Sequence, residues 1–175
     1  NYQSHIGDRD PAAVPGIFLK TPGSIIATGD NVVIPKGAEN VHFEAELVVV
    51  IGREARGVSV DEALDYVFGI TLGNDVSARM WQRDDLQWFR GKAIDTFGPI
   101  GPAIATGLDL GNLTLVGRLN GETVQESRTD LLIFNVAEIV SFLSTYSTLH
   151  PGDVIFTGTP GRTSSMKPGD VFEVE

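Results

Sequence analysis

His42-Phe43-Glu44-Ala45-Glu46-Leu47-Val48-Val49-Val50-Ile51-Gly52 is the stretch from which this chain is read. Two acidic residues head an apolar, β-branched run that ends at glycine, the pattern of a buried strand. Strand side chains alternate between faces, so Glu44 and Glu46 share one face, about 7 Å apart along the strand. Phe43, Ala45, Leu47 and Val49 take the other face. Two carboxylates on one buried face repel each other and resist desolvation unless something positive lies between them. The simplest candidate is a divalent metal ion.

The chain around this strand has 175 residues, a net charge of −10, 20 glycines, 42% hydrophobic residues and no cysteine. That length suits one domain with a sizeable core, and the glycine content suits a turn-rich, strand-rich fold. With no basic tract, a nucleic-acid phosphate surface is not expected. Disulfides and thiolate metal sites are excluded, which is compatible with a cytoplasmic location. No apolar run approaches the roughly 20 residues that span a bilayer, so no membrane partner is expected. A polar start at Asn1 and an end inside the alternation Phe172-Glu173-Val174-Glu175 lead us to expect further segments at both ends.

Residues 1–16 are polar and rich in glycine and proline; a helical turn over residues 3–9 would put His5 and Asp8 on one face. A solvated arm and an active-site lid fit this composition equally well. Ile17-Phe18-Leu19-Lys20 reads as a short strand whose lysine would ordinarily be surface. Short strand pieces flank Gly29-Asp30-Asn31. Ser59-Val60-Asp61-Glu62 is a capping-box pattern predicting a helix with Val60, Ala63, Leu64 and Val67 on one face, closed by Gly69. Ile70 to Asp75 reads as a strand entering a polar site, with Asp75 either a cap for Val76-Ser77-Ala78-Arg79 or a ligand. Residues 79–92 hold both tryptophans among arginines, glutamines and a lysine. They suit either an anionic, planar small molecule or a dimer interface. Asp95 to Pro102 reads as a turn-rich loop. Asn120-Gly121 predicts a type I′ hairpin joining 113–118 to 122–127. Asn135-Val136-Ala137-Glu138 caps a second helix with Ile139, Val140 and Leu143 inward, and Thr157 to Gly161 is a loop of hydroxyls and free N–H groups. The sum is a mainly β or α+β fold of twisted sheets.

Taken in order, these stretches resemble the fumarylacetoacetate hydrolase family: Asn1-Tyr2 with His5, Phe18-Leu19-Lys20 with Ser24, and Phe43-Glu44-Ala45-Glu46-Leu47. The resemblance continues through Asn74-Asp75-Val76-Ser77-Ala78-Arg79, Gln87-Trp88 with Arg90-Gly91-Lys92, Asp95-Thr96-Phe97, Pro151 to Ile155, and Thr157-Gly158-Thr159-Pro160. It implies a mixed β-roll of packed, curled sheets with short helices, one catalytic domain over residues 1–175, and a homodimer. It also implies a metal site on Glu44, Glu46 and Asp75, which favours the ligand reading of Asp75. All-oxygen ligation suits Mg²⁺, with Mn²⁺ or Ca²⁺ as alternatives. His5 and Asp8 match a water-activating lid dyad and Lys92 the active-site lysine. Arg79, Gln82, Thr96, Thr159 and Lys20 match substrate-binding positions. The chain departs from the family pattern at Asp8, where glutamate is common, and at Met80, where aspartate is common.

The activity implied is hydrolysis of a C–C bond in an acylpyruvate-like diketo acid through a metal-bound enolate. An isomerase or decarboxylase of unsaturated dicarboxylic 2-oxo acids from aromatic catabolism would share that intermediate. The non-enzyme alternative is an inactive module that binds metal or oxo acid.

Overall fold

The computed structural model describes residues 1–175. The chain runs α1 (Gln3–Ile6), β1 (Ile25–Ala27), β2 (Val41–His42), β3 (Ala45–Ile51), β4 (Val67–Asn74), β5 (Ser77–Ala78), α2 (Arg79–Asp84) and α3 (Phe89–Lys92). It continues with β6 (Gly98–Ala105), β7 (Thr114–Leu119), β8 (Glu122–Arg128), α4 (Val136–Tyr146), β9 (Val154–Phe156) and β10 (Phe172–Val174). The result is a mixed α+β fold of curled sheets with few, short helices. No helix is long and apolar enough to cross a membrane.

β3 is the axis of a five-stranded sheet ordered β1-β6-β4-β3-β9, in which only β1 and β6 run parallel. All seven of its residues are buried, as a continuous β-branched run predicts for a strand covered on both faces. Leu47, Val49 and Ile51 join Val136, Val140, Ile70 and Leu149 in the larger core cluster. Further toward the start of the strand, Phe43 stacks on Phe172 of β10 with ring centroids 4.5 Å apart. β10 belongs to a three-stranded sheet, β10-β7-β8, that closes this end of the face. Glu44 and Glu46 are on the face opposite to this core.

The hairpin and the second helix form as expected. Asn120 and Gly121 both have positive φ, at 52° and 82°, as a type I′ turn requires. In the capping box of α4, Glu138 N–H donates to Asn135 Oδ1 (3.0 Å) and Asn135 N–H donates to Glu138 Oε2 (2.7 Å). The strand expected over Ile17–Lys20 does not form, because no neighbouring chain offers it a ladder. Only the first strand piece flanking Gly29 is present. At Ser59, the hydroxyl bonds to the Glu62 side chain rather than to a helix N–H. A single 3-10 turn, Ala63–Tyr66, follows, and Val67 enters β4. Leu64 is consequently half exposed. The second part of Asp95–Pro102, read as a loop for its glycines and prolines, belongs to a strand, Gly98–Ala105, whose register against β4 shifts between Ile70 and Leu72. That irregularity takes up Pro102, which has no N–H to give the ladder.

Candidate active site and metal centre

The ends of β3 and β4 bring the three acidic residues together. Asp75 N–H donates to Glu44 O (2.9 Å), and Glu44 N–H donates to the Asn74 side-chain oxygen (2.8 Å). One carboxylate oxygen from each of Glu44, Glu46 and Asp75 lies within 4.8 Å of the others, and all three residues are buried. Asp75 therefore caps no helix; β5 follows it, and α2 starts at Arg79 after Ala78.

Burying three carboxylates requires counter-charge, and the chain supplies it from three directions. Lys92 Nζ, at the end of α3, donates to Glu44 Oε2 (2.7 Å) and Asp75 Oδ2 (2.5 Å). Lys20 Nζ donates to Asp75 Oδ1 (2.7 Å) and to the Lys92 carbonyl (2.5 Å). Arg79 pairs with Glu44 Oε1 and also donates to Gln82 Oε1 (2.8 Å) and Thr163 Oγ1 (2.9 Å). Burial pushes the Glu44 carboxyl up, but Lys92 and Arg79 outweigh it and hold it down at about 2. Burial likewise works against the Lys92 ammonium, and Asp75 and Glu44 more than restore it, so Lys92 stays charged.

Glu46 has no such partner. Its Oε2 accepts from Gly158 N–H (2.6 Å), and no other hydrogen bond reaches its carboxylate. Burial, then the charges of Asp75 and Glu44, raise its pKa well above the ordinary carboxylate range. A carboxylate that repels its neighbours and keeps an unpaired oxygen fits a cation ligand. The all-oxygen donor set suits a hard divalent ion. Glu44, Glu46 and Asp75 are thus a group able to hold a divalent metal.

The triad forms part of the wall of a cavity of about 660 Å³, together with His5, Arg79, Gln82, Lys92 and Thr159. His5 Nδ1 lies 2.8 Å from Gly161 O, which can only accept, so Nδ1 carries the proton and Nε2 is free to take one. Burial lowers the His5 pKa, outweighing the opposing pull of that carbonyl and of Glu44. Asp8 is exposed and does not line the cavity, because Gly7, at φ 67°, stops α1 after Ile6. The structure does not bring the two members of the expected dyad together. Lys20 is neither surface nor cavity wall; it braces Asp75, with its side chain 8% exposed. Thr96 also lies off the cavity, and its hydroxyl accepts from Val33 N–H (2.8 Å). Thr159 Oγ1 accepts from Gln125 Nε2 (2.9 Å).

The sequence reading overlooked several supporting groups. Asn74 ties Glu44 to β4, and Gln125 ties the Thr159 loop to Ala45 N–H (3.0 Å). Thr163 links Arg79 to His42 Nδ1 (2.8 Å). Phe18, quoted in the motif without a role, has its ring 5.0 Å from Lys92 Nζ and 5.7 Å from Trp88.

The sequence matches the fumarylacetoacetate (FAA) hydrolase C-terminal family over residues 1–175. The chain belongs to the fumarylacetoacetate hydrolase family. It is similar in structure to the 2-hydroxyhepta-2,4-diene-1,7-dioate isomerase of Mycobacterium marinum, at 43% identity and TM-score 0.90, covering 97% of this chain and 66% of that one. It is also similar to fumarylpyruvate hydrolase of Pseudomonas aeruginosa, solved with Mn²⁺ and pyruvate, at 32% identity and TM-score 0.88, covering 100% and 81%. The mitochondrial oxaloacetate tautomerase FAHD2A of Bos taurus is 38% identical over 179 residues, 98% of this chain and 57% of that protein. The chain spans 57% to 68% of the length of the curated relatives it matches. Members of the fumarylacetoacetate hydrolase family thus include a hydrolase, an isomerase and a tautomerase.

Proposed function

We propose that this chain is the catalytic part of a divalent-metal-dependent enzyme that cleaves a C–C bond in an acylpyruvate-like diketo acid. The observation that carries the reading is the buried Glu44–Glu46–Asp75 group facing one cavity with His5. A cation held there, Mg²⁺ or Mn²⁺, supplies Lewis-acid polarisation of a 2-oxo group. Arg79 and Lys92 attract the substrate carboxylate to that end of the cavity. His5 Nε2 takes a proton from water, and the hydroxide formed attacks the distal carbonyl. The bond between that carbonyl and the pyruvate methylene breaks, its electron pair passing into the enolate of pyruvate. Lys92, held protonated, stabilises the enolate charge.

The exposed position of Asp8 favours a second reading. A His5 without a carboxylate behind it lacks the group that would orient it toward water and still offers Nε2 to a proton on carbon. The site then acts as a tautomerase, isomerase or decarboxylase of 2-oxo dicarboxylic acids. The hydrolase of Pseudomonas aeruginosa supports the first reading; the isomerase and the tautomerase support the second.

The test is the loss of enol absorbance of a simple acylpyruvate with Mg²⁺, with and without EDTA, alongside product analysis. Chelator-sensitive loss yielding pyruvate and the free acid is the expected result. No cleavage, with oxaloacetate or an unsaturated 2-oxo dicarboxylate turned over instead, establishes the second reading. Metal uptake has its own signature: because burial and the charges of Asp75 and Glu44 raise the Glu46 pKa, a cation bound there competes with the proton, and Mg²⁺ binding tightens as pH rises.

A further inference from the structure

The cationic groups on the cavity wall are not all gathered at the acidic triad. Arg79 and Lys92 are bound to Glu44 and Asp75. Arg83 pairs with its exposed chain neighbour Asp84 at 2.7 Å. Arg9 lines the same cavity and pairs with no carboxylate; its one side-chain hydrogen bond runs from Nε to Ile6 O at 2.9 Å. That bond orients the guanidinium and leaves both Nη groups open. Its backbone is pinned too: Gln3 Nε2 donates to Gly7 O (2.6 Å) and to Arg9 O (3.2 Å). The turn that carries His5 therefore presents, four residues later, a fork-shaped donor set held from behind and free in front. Asp8 and Asp10 flank Arg9 in sequence and, like Arg9, are exposed, but they bond nothing on Arg9 and do not line the cavity. Much of the remaining wall, including Val14, Ile17, Phe18 and Phe156, is apolar and offers an anion nothing.

We propose that Arg9 is a specificity-determining residue that receives a second carboxylate, at the end of the substrate distant from the 2-oxo group. The inference rests on the 2-oxo acid reading of the site and narrows it to dianionic substrates. A planar fork with two free Nη groups matches a carboxylate in a bidentate geometry. A neutral-ended substrate of the same length leaves those donors to water.

The experiment is calorimetric titration of the Mg²⁺-loaded protein with 2-oxoadipate and with 2-oxohexanoate, which differ only in the terminal carboxylate. The wild type binds 2-oxoadipate about 10- to 100-fold more tightly, the range of a charged hydrogen-bonding contact. Arg9→Gln brings 2-oxoadipate down to the affinity of 2-oxohexanoate, and Arg9→Lys, a point charge without the fork, retains part of the preference. Equal affinities in the wild type, a preference that survives Arg9→Gln, or one lost in Arg83→Gln instead overturns the assignment and leaves the 2-oxo acid reading standing. Failure of both probes to bind overturns that reading and this one with it. Urea midpoints of the variants establish that each is folded.

Discussion

Glu44, Asp75 and Lys92 sit at the ends of β3, β4 and α3, where backbone ladders and turns fix them in place. Across the cavity, His5, Arg9 and Phe18 belong to a front wall in which residues 8–20 make no backbone–backbone hydrogen bond. The floor buries charge and, Glu46 apart, pairs it; Lys92 is 2% exposed, whereas Leu19 on the front wall is 82% exposed. Side chains hold residues 8–20, through Arg9 to Ile6 O, Phe18 to Trp88 and Lys20 to Asp75, while the turn before them adds His5 to Gly161 O and Gly161 N–H to Ser4 (3.0 Å) to its own backbone bonds. A floor of this kind is a structural element whose chemistry is fixed by folding. A front of this kind can change residues at small cost in stability. The proposed metal chemistry accordingly belongs to the floor, and the proposed substrate contact of Arg9 to the front.

Breaking the floor tests that division most severely. Lys92→Met removes the one ammonium shared by Glu44 and Asp75 and leaves both carboxylates buried with less compensation. The expected loss is about 3–5 kcal/mol, read as a lower urea midpoint at unchanged m-value. An unmoved midpoint would mean that the floor is not braced by charge pairing.

The front is expected to fail differently. His5→Gln lowers turnover by about 10²- to 10⁴-fold while stability stays within about 0.5 kcal/mol. The pH dependence has a definite sign. Burial lowers the His5 pKa below its ordinary 6.5, and only the neutral imidazole accepts a proton. The kcat/KM of the wild type therefore rises with pH through a value below 6.5; His5→Gln abolishes that limb. A limb that persists belongs to another group and removes His5 from the base role.

The same contrast explains what could be read in advance. Glu44 and Glu46 declare themselves because a period of two on a buried strand forces both onto one face. Asp75, at the end of an apolar run, reads from the residues alone as either a cap or a ligand; the order of motifs favours the ligand and adds Arg79, Gln82 and Lys92. Asn74 was legible only as Asp75's neighbour. Gln125 and Thr163 act across 80 and 84 residues of chain, a separation that carries no local pattern. β6 was hidden because two glycines and two prolines read as a turn, while its sheet neighbours hold it extended. Ile17–Lys20 misled in the opposite direction: an apolar run without a partner strand remains irregular. Asp8 illustrates the same limit, since the three-residue spacing from His5 matters only if the helix continues, and Gly7 ends it.

Phe18 sharpens the comparison at its weakest point, where front meets floor. Its ring lies over Lys92 Nζ at 5.0 Å and packs on Trp88 at 5.7 Å, so it both holds the segment down and shields the ammonium from water. A cation–π contact of this kind contributes about 0.5–2 kcal/mol. Phe18→Leu keeps the apolar bulk and loses the π face. The expected effect is a fall in kcat/KM of about 2- to 30-fold with the urea midpoint unmoved, because the floor does not depend on Phe18. Cleavage between residues 8 and 20 by a nonspecific protease should accelerate in parallel. Phe18→Tyr, which retains the ring, should restore both. If Phe18→Leu instead lowers the urea midpoint as Lys92→Met does, front and floor unfold as one unit, and the division between them is wrong.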